Sequence, residues 1–202
     1  MSMFHNALPD LAQGLLIAVL ATVVFGRFVK DTRQRLVVVA VLVVLGLFLP
    51  VSGLSLAQWL RSVVGDFSIL TLVLFLNILA QRLFDRNLMA SATRNNLLLG
   101  VIPVGMVFYP LALGVSEFDP YRLGYSPVLM TAILSLASII AWVRARQGLA
   151  IILLSPLIAF NLHLLESANL WDYLLDPVLL IYAVVQSAFS IKLLRARQMR
   201  AQ

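Results

Sequence analysis

The chain has 202 residues, of which 61% are hydrophobic and 12% charged, with a mean hydropathy of +0.97. An ordinary soluble domain is about 45–50% apolar and about 25% charged. This composition excludes a soluble globular enzyme, a disordered tail and a nucleic-acid-binding domain. The net charge of +6 fits the cationic loops of a membrane protein better than a nucleic-acid surface. Cysteine is absent, which excludes disulfides, thiolate metal sites, cysteine nucleophiles and lipidation at cysteine.

Seven apolar runs follow one another along the chain, at residues 8–25, 36–54, 67–83, 96–115, 127–143, 149–165 and 177–194. A transmembrane helix needs about 20 mostly apolar residues, so the runs predict an all-α, seven-helix membrane bundle in a single integral membrane domain, residues 1–202. The segment before the first run carries no Lys or Arg, so 8–25 reads as a retained span rather than a signal peptide.

The cations alternate with the runs. Arg27, Lys30, Arg33 and Arg35 follow the first, and Arg82, Arg86 and Arg94 separate the third from the fourth. Arg144 and Arg146 follow the fifth, and Lys192, Arg195, Arg197 and Arg200 end the last. Only Arg61 and Arg122 fall on the opposite side. The positive-inside rule then predicts an outer N-terminus and a cytoplasmic C-terminus in a bacterial inner membrane.

Cap chemistry predicts three helix starts on the outer face, with Asp66 opening the third run, Ser126-Pro127 the fifth and Asp176-Pro177 the seventh. Two outer segments, 55–64 and 166–176, read as short interfacial helices. Trp59, Tyr121, Tyr125, Trp171 and Tyr173 then form an aromatic belt at that surface.

Three constellations carry chemical content. His163, Glu166, Asp172 and Asp176 cluster between the sixth and seventh runs, and the spacings of three and four place each pair on one helix face. They are candidates for acid–base chemistry or a divalent cation, against the plainer reading of a solvated acidic rim with Asp176 as a cap. Pro103, Gly105 and Pro110 predict helix breaks in the fourth run, which open a transport reading or record a packed kink. Asp119, Tyr121, Arg122 and Tyr125 lie in an individual outer loop suited to a lipid phosphate or a partner's carboxylate, unless Arg122 simply pairs with Glu117 or Asp119.

No phosphate loop, zinc-protease helix, nucleophile elbow or paired acidic metal motif is present, and no cofactor or metal is implied. The expected partners are the lipid bilayer and either a membrane protein or further copies of the chain. The small residues Thr131, Ser135, Ala137 and Ala141 would let a helix approach the fifth run closely. The expected function is that of a non-catalytic accessory subunit of an envelope enzyme or transport complex. The alternatives are a small solute or lipid transporter or flippase, and an outer-face metal-dependent enzyme.

Overall fold

The computed structural model describes residues 7–200, and the side chains of 9–190. The cationic run from Lys192 to Arg200 therefore lies outside the described side chains. The described chain is all-α apart from one small hairpin. Its helices are α1 (Ala7–Phe25), α2 (Thr32–Phe48), α3 (Leu56–Val64), α4 (Ile69–Phe84), α5 (Ser91–Ala112), α6 (Val128–Val143), α7 (Gln147–Asn161), α8 (Leu170–Leu174) and α9 (Pro177–Arg200). Strands β1 (Pro50–Val51) and β2 (Leu54–Ser55) pair antiparallel between α2 and α3, and a 3-10 turn occupies Pro120–Tyr125.

Two stretches are long and apolar enough to cross a membrane, Ser91–Ala112 and Leu170–Ser190. The segments Pro9–Phe25, Ile69–Phe84, Val128–Val143 and Gln147–Asn161 are apolar but shorter. The second apolar run does not continue as a helix to Leu54. It stops at Phe48, because Pro50 lacks an amide proton and Ser52 and Gly53 take positive φ in the hairpin turn.

The core is organised around α4, which is buried along most of its length. One face, with Leu72, Phe75, Leu79 and Leu83, packs among α1 and α2. Another, with Leu70 and Leu74, packs among α5, α7 and α9. A third cluster joins α6, α7 and α8 through Leu134, Leu157, Leu170 and Tyr173. Outside these clusters, large apolar side chains face outward all around the bundle, among them Phe28, Phe48, Val128, Ile139 and Ile181.

The bundle has two chemically distinct ends. At one, the Arg35 guanidinium donates to the carbonyls of Val29 and Arg82, tying the α1–α2 turn to the end of α4. The Asn77 side chain accepts from Met89 N in the turn after α4, and Gly148 at the start of α7 lies beside Thr93 of α5. At the other end, Gln13 donates to the carbonyl of Gly65, and Asn169 and Trp171 donate to the carbonyls of Tyr121 and Pro120. The first end carries Arg27, Lys30, Arg33, Arg35, Arg82, Arg86, Arg144 and Arg146. The second carries Asp66, Glu117, Asp119, Glu166, Asp172 and Asp176.

The expected caps need two corrections. Ser68, not Asp66, caps α4, accepting from Thr71 N, because Asp66 is held by Arg61. Ser126 caps nothing, since Pro127 itself is the N-cap of α6 and no side chain bonds there. Asp176 does cap α9, accepting from Leu179 N at 2.8 Å. The helix at 55–64 forms as expected, with Ser55 and Gln58 completing a capping box.

Helix α5 runs without interruption through Pro103 and Pro110, so the expected breaks are absent. Each proline removes one helical N–H, which the surrounding turns tolerate in an apolar setting. Gly105 has a packing role instead. It lies against Leu180 of α9, and a Cβ there would stand 2.7 Å from Leu180 Cδ1. Replacing Gly105 by valine is expected to destabilise the protein by about 1–3 kcal/mol through overpacking. Adding Leu180→Ala should recover much of that loss, as read by thermal unfolding of the single and double variants in detergent.

Candidate functional site

The acidic end of the bundle encloses a cavity of about 480 Å³, bounded by α5, the 3-10 turn, α8 and the first residue of α9. Its walls include Asp66, Asp172 and Asp176, the rings of Phe108, Tyr109, Tyr121 and Trp171, and the Ser167 hydroxyl side chain. Four separate segments build it, around Asp66, residues 108–113, Tyr121 and residues 165–177.

The connection 162–176 supplies most of the polar wall. Asn169 caps α8 by accepting from Trp171 N, while its amide donates to the Tyr121 carbonyl. Gly124 makes this docking possible, because a Cβ at that position would collide with the Asn169 side chain. Leu170 and Tyr173 of α8 are completely buried. The Tyr173 hydroxyl bonds the backbone of Leu165 on both its N–H and carbonyl. Segment 166–176 is thus a wedge docked in the bundle rather than a helix lying at the surface, which corrects the expectation for that stretch and for Tyr173 as a belt residue. Trp171 also turns inward, donating to the Pro120 carbonyl with its ring 4.4 Å from that of Phe108. Trp59 and Tyr125 remain exposed.

The three carboxylates differ in their partners. Asp66 receives both Nε and Nη2 of Arg61, at 2.7 and 3.1 Å, and Arg61 also reaches Glu166 at 3.3 Å. The hydrogen bond to Asp66, then the charges of Asp66 and Glu166, hold the Arg61 guanidinium above its ordinary pKa, against the opposing effect of burial. Asp172 accepts from the Tyr121 hydroxyl at 3.0 Å and from Ser167. Burial, reinforced by the Asp172 charge, raises the Tyr121 phenol, which keeps it a donor. Asp176 is 6% exposed and accepts from Ser68 N, Thr71 Oγ1 and Leu179 N. Among the described residues neither Asp172 nor Asp176 has a basic partner. The Tyr109 hydroxyl, which belongs to the same cavity wall, is buried without a hydrogen-bond partner.

The residues singled out from sequence are therefore only partly brought together. Asp172 and Asp176 share the cavity. They do not share a helix, since α8 ends at Leu174 and Asp176 opens α9. His163 and Glu166 do not share one either, because α7 ends at Asn161. His163 is exposed with φ of 50° and stacks loosely on Phe160, while Glu166 faces Arg61. Among the described residues no group of three or more His, Asp or Glu side chains is placed to hold a metal ion. Asp119 caps the 3-10 turn through Tyr121 N, Tyr121 lines the cavity, and Tyr125 packs edge-on against Tyr121. Arg122 is exposed, and the ion pairs of the described residues centre on Arg61 instead.

Sequence spacing missed Phe108, Tyr109, Asp66 and Trp171 as cavity residues. The nearest signal was the excess of acids and aromatics in the outer segments, which marks an end of the bundle but not a shared wall. The cavity offers carboxylate acceptors and ring faces, which favour a positively charged or donor-rich guest.

Comparison with protein-family models, with curated proteins and with solved structures yields no match to this chain.

Removing the Asp176 carboxylate should damage folding more than removing His163. Asp176→Ala strands the buried donors of Ser68 and Leu179, and a loss of about 2–4 kcal/mol is expected. His163→Ala should change stability by less than about 0.5 kcal/mol, as for an exposed site. Thermal unfolding of both variants in the same detergent checks the contrast.

Proposed function

We propose that this chain is a multi-pass protein of a bacterial cytoplasmic membrane, crossing seven times with its acidic end outside, and that it acts as a non-catalytic partner subunit of an envelope enzyme or transport complex. The observation that carries the membrane reading is the sheath of exposed apolar side chains around the bundle. Val63, Phe28, Val128 and Val143 are each 78–82% exposed, and α6 turns Leu129, Ile133, Leu136 and Ile140 outward. Water does not favour such a surface, and the hydrocarbon of a bilayer does. Helices of 15–17 residues, such as α7 and α2, reach about 22–26 Å. The hydrocarbon core is about 30 Å thick, and local thinning accommodates the difference.

The orientation follows from charge. The cationic turns gather at one end of the bundle and most of the acids at the other, apart from Asp31 and Asp85, the distribution expected when the first end faces the cytoplasm. The subunit reading is supported by what the polar side chains do. Glu166 pairs with Arg61, Asp176 caps α9 and bonds the start of α4, Asp119 caps a turn and His163 faces outward from a turn. These are structural occupations rather than a reacting constellation.

The absence of cysteine makes the topology directly testable. In intact cells, Ser116→Cys should react with a membrane-impermeant maleimide, and Asn87→Cys should react only after lysis. The reverse pattern would invert the orientation, and labelling of both would remove the seven-span reading.

The subunit reading is tested by purification from the native host in mild detergent with mass spectrometry of stoichiometric companions. A companion whose own activity falls when this chain is deleted is the expected result. A homo-oligomer with intact neighbouring activities would overturn it.

A further inference from the structure

We propose that the outer cavity and the groove beneath it form one binding site for a membrane lipid whose headgroup carries an ammonium, with the headgroup in the acidic cavity and one acyl chain in the groove. The proposal rests on the membrane reading above, and four independent features of the structure carry it.

The first feature is charge. The cavity presents three carboxylates, of which only Asp66 is met by a cation, Arg61. Asp172 and Asp176 accept hydrogen bonds from neutral donors only, so their negative charge is solvated but not neutralised. An ammonium group supplies that charge and its donors together.

The second is the aromatic wall. Phe108 and Trp171 stand with ring centroids 4.4 Å apart, and Tyr121 lies 6.3 Å from Phe108. Ring faces beside carboxylates are the usual surroundings of a bound ammonium in a partly desolvated site.

The third is the Tyr109 hydroxyl, a buried polar group without a partner on the same wall. A buried hydroxyl with no partner is costly, and a headgroup oxygen or amine would satisfy it.

The fourth is a neighbouring space for a chain. Leu175 is the wall common to the cavity and to an apolar groove of about 270 Å³ between α4, α5, α6 and α7. The groove runs along Val104, Val101, Gly100 and Leu97 of α5, facing Leu134 and Leu153. Its walls are almost wholly hydrocarbon. A Cβ added to Gly100 would meet nothing within 4 Å, so the glycine leaves the groove open there. From Tyr109 to Gly100 is nine residues of α5, about 14 Å along the helix. A free amine would leave this groove empty, whereas a lipid fills both parts.

The test uses the full chain purified in detergent and freed of native lipid. Retention is read by native mass spectrometry and by the shift in melting temperature. The probes are dioleoyl phosphatidylethanolamine, dioleoyl phosphatidylglycerol with the same chains, and free ethanolamine. The expected result is that phosphatidylethanolamine binds at least about tenfold more tightly than phosphatidylglycerol, and that free ethanolamine at the same concentration has no effect. Asp172→Asn should remove most of this preference. Gly100→Leu should weaken both lipids by occupying the groove.

Tyr109→Phe separates a binding role from a structural one. It removes an unpartnered polar atom, so the unliganded variant should be at least as stable as the wild type, yet retain phosphatidylethanolamine less. A Tyr109→Phe protein with unchanged retention, or equal binding of the two lipids, would overturn the proposal. Saturation by free ethanolamine alone would overturn the lipid as occupant. Alkaline carbonate extraction of native membranes distinguishes the two levels. A chain retained in the membrane that ignores headgroup chemistry sinks only this inference. A chain released into the supernatant removes the membrane reading and this inference with it.

Discussion

A single buried carboxylate ties together the starts of two helices from opposite halves of the chain. Asp176 accepts from Leu179 N as the cap of α9, and from Ser68 N and Thr71 Oγ1 at the start of α4. Each helix begins with amides that have no partner within the helix. Here one side chain answers two such ends that are more than a hundred residues apart in sequence. The helix dipoles add to the bonds, since both positive ends converge on the same negative charge. The same side chain forms part of the cavity wall, so the fastening of the two helices and the placement of the acidic cavity coincide.

Around that point, polarity and apolarity are divided with little mixing. Polar side chains gather at the bundle ends, where caps and ion pairs use them. The flanks are hydrocarbon inside and out. Some polar groups along the flanks are answered locally, as when Thr22 and Ser138 donate to carbonyls of their own helices. Such bonding is what a low-dielectric setting demands of any hydroxyl placed there. The acidic cavity differs, with two of its three carboxylates unmet by a cation and the Tyr109 hydroxyl without a partner.

Much of the architecture was legible in the residues. Apolar runs marked the positions of the helices, and Asp176-Pro177 announced a real cap. The 3–4 spacing of Leu56, Trp59, Leu60 and Val63 announced α3. What failed were inferences that treated neighbouring letters as neighbouring side chains. His163 and Glu166 are three apart, but the helix has already ended at Asn161. Pro103 and Pro110 read as breaks, but α5 absorbs both. The cavity was illegible for a related reason. Tyr109, Tyr121 and Trp171 meet only because Asn169 docks against Gly124 and Trp171 donates to Pro120, pairings across about fifty residues that no periodicity reports.

The reach of Asp176 also constrains how the chain is made. Helix α4 is synthesised long before residue 176 emerges, so the amide of Ser68 and the hydroxyl of Thr71 wait through the production of α5 to α8 without their eventual acceptor. During that interval the start of α4 has its own Ser68 cap and its packing against α1 to α3, joined by α5 and α7 as they are made. The arrival of α9 then supplies the acceptor that completes the start of α4. A chain interrupted before Asp176 would leave the Ser68 amide and the Thr71 hydroxyl without that carboxylate.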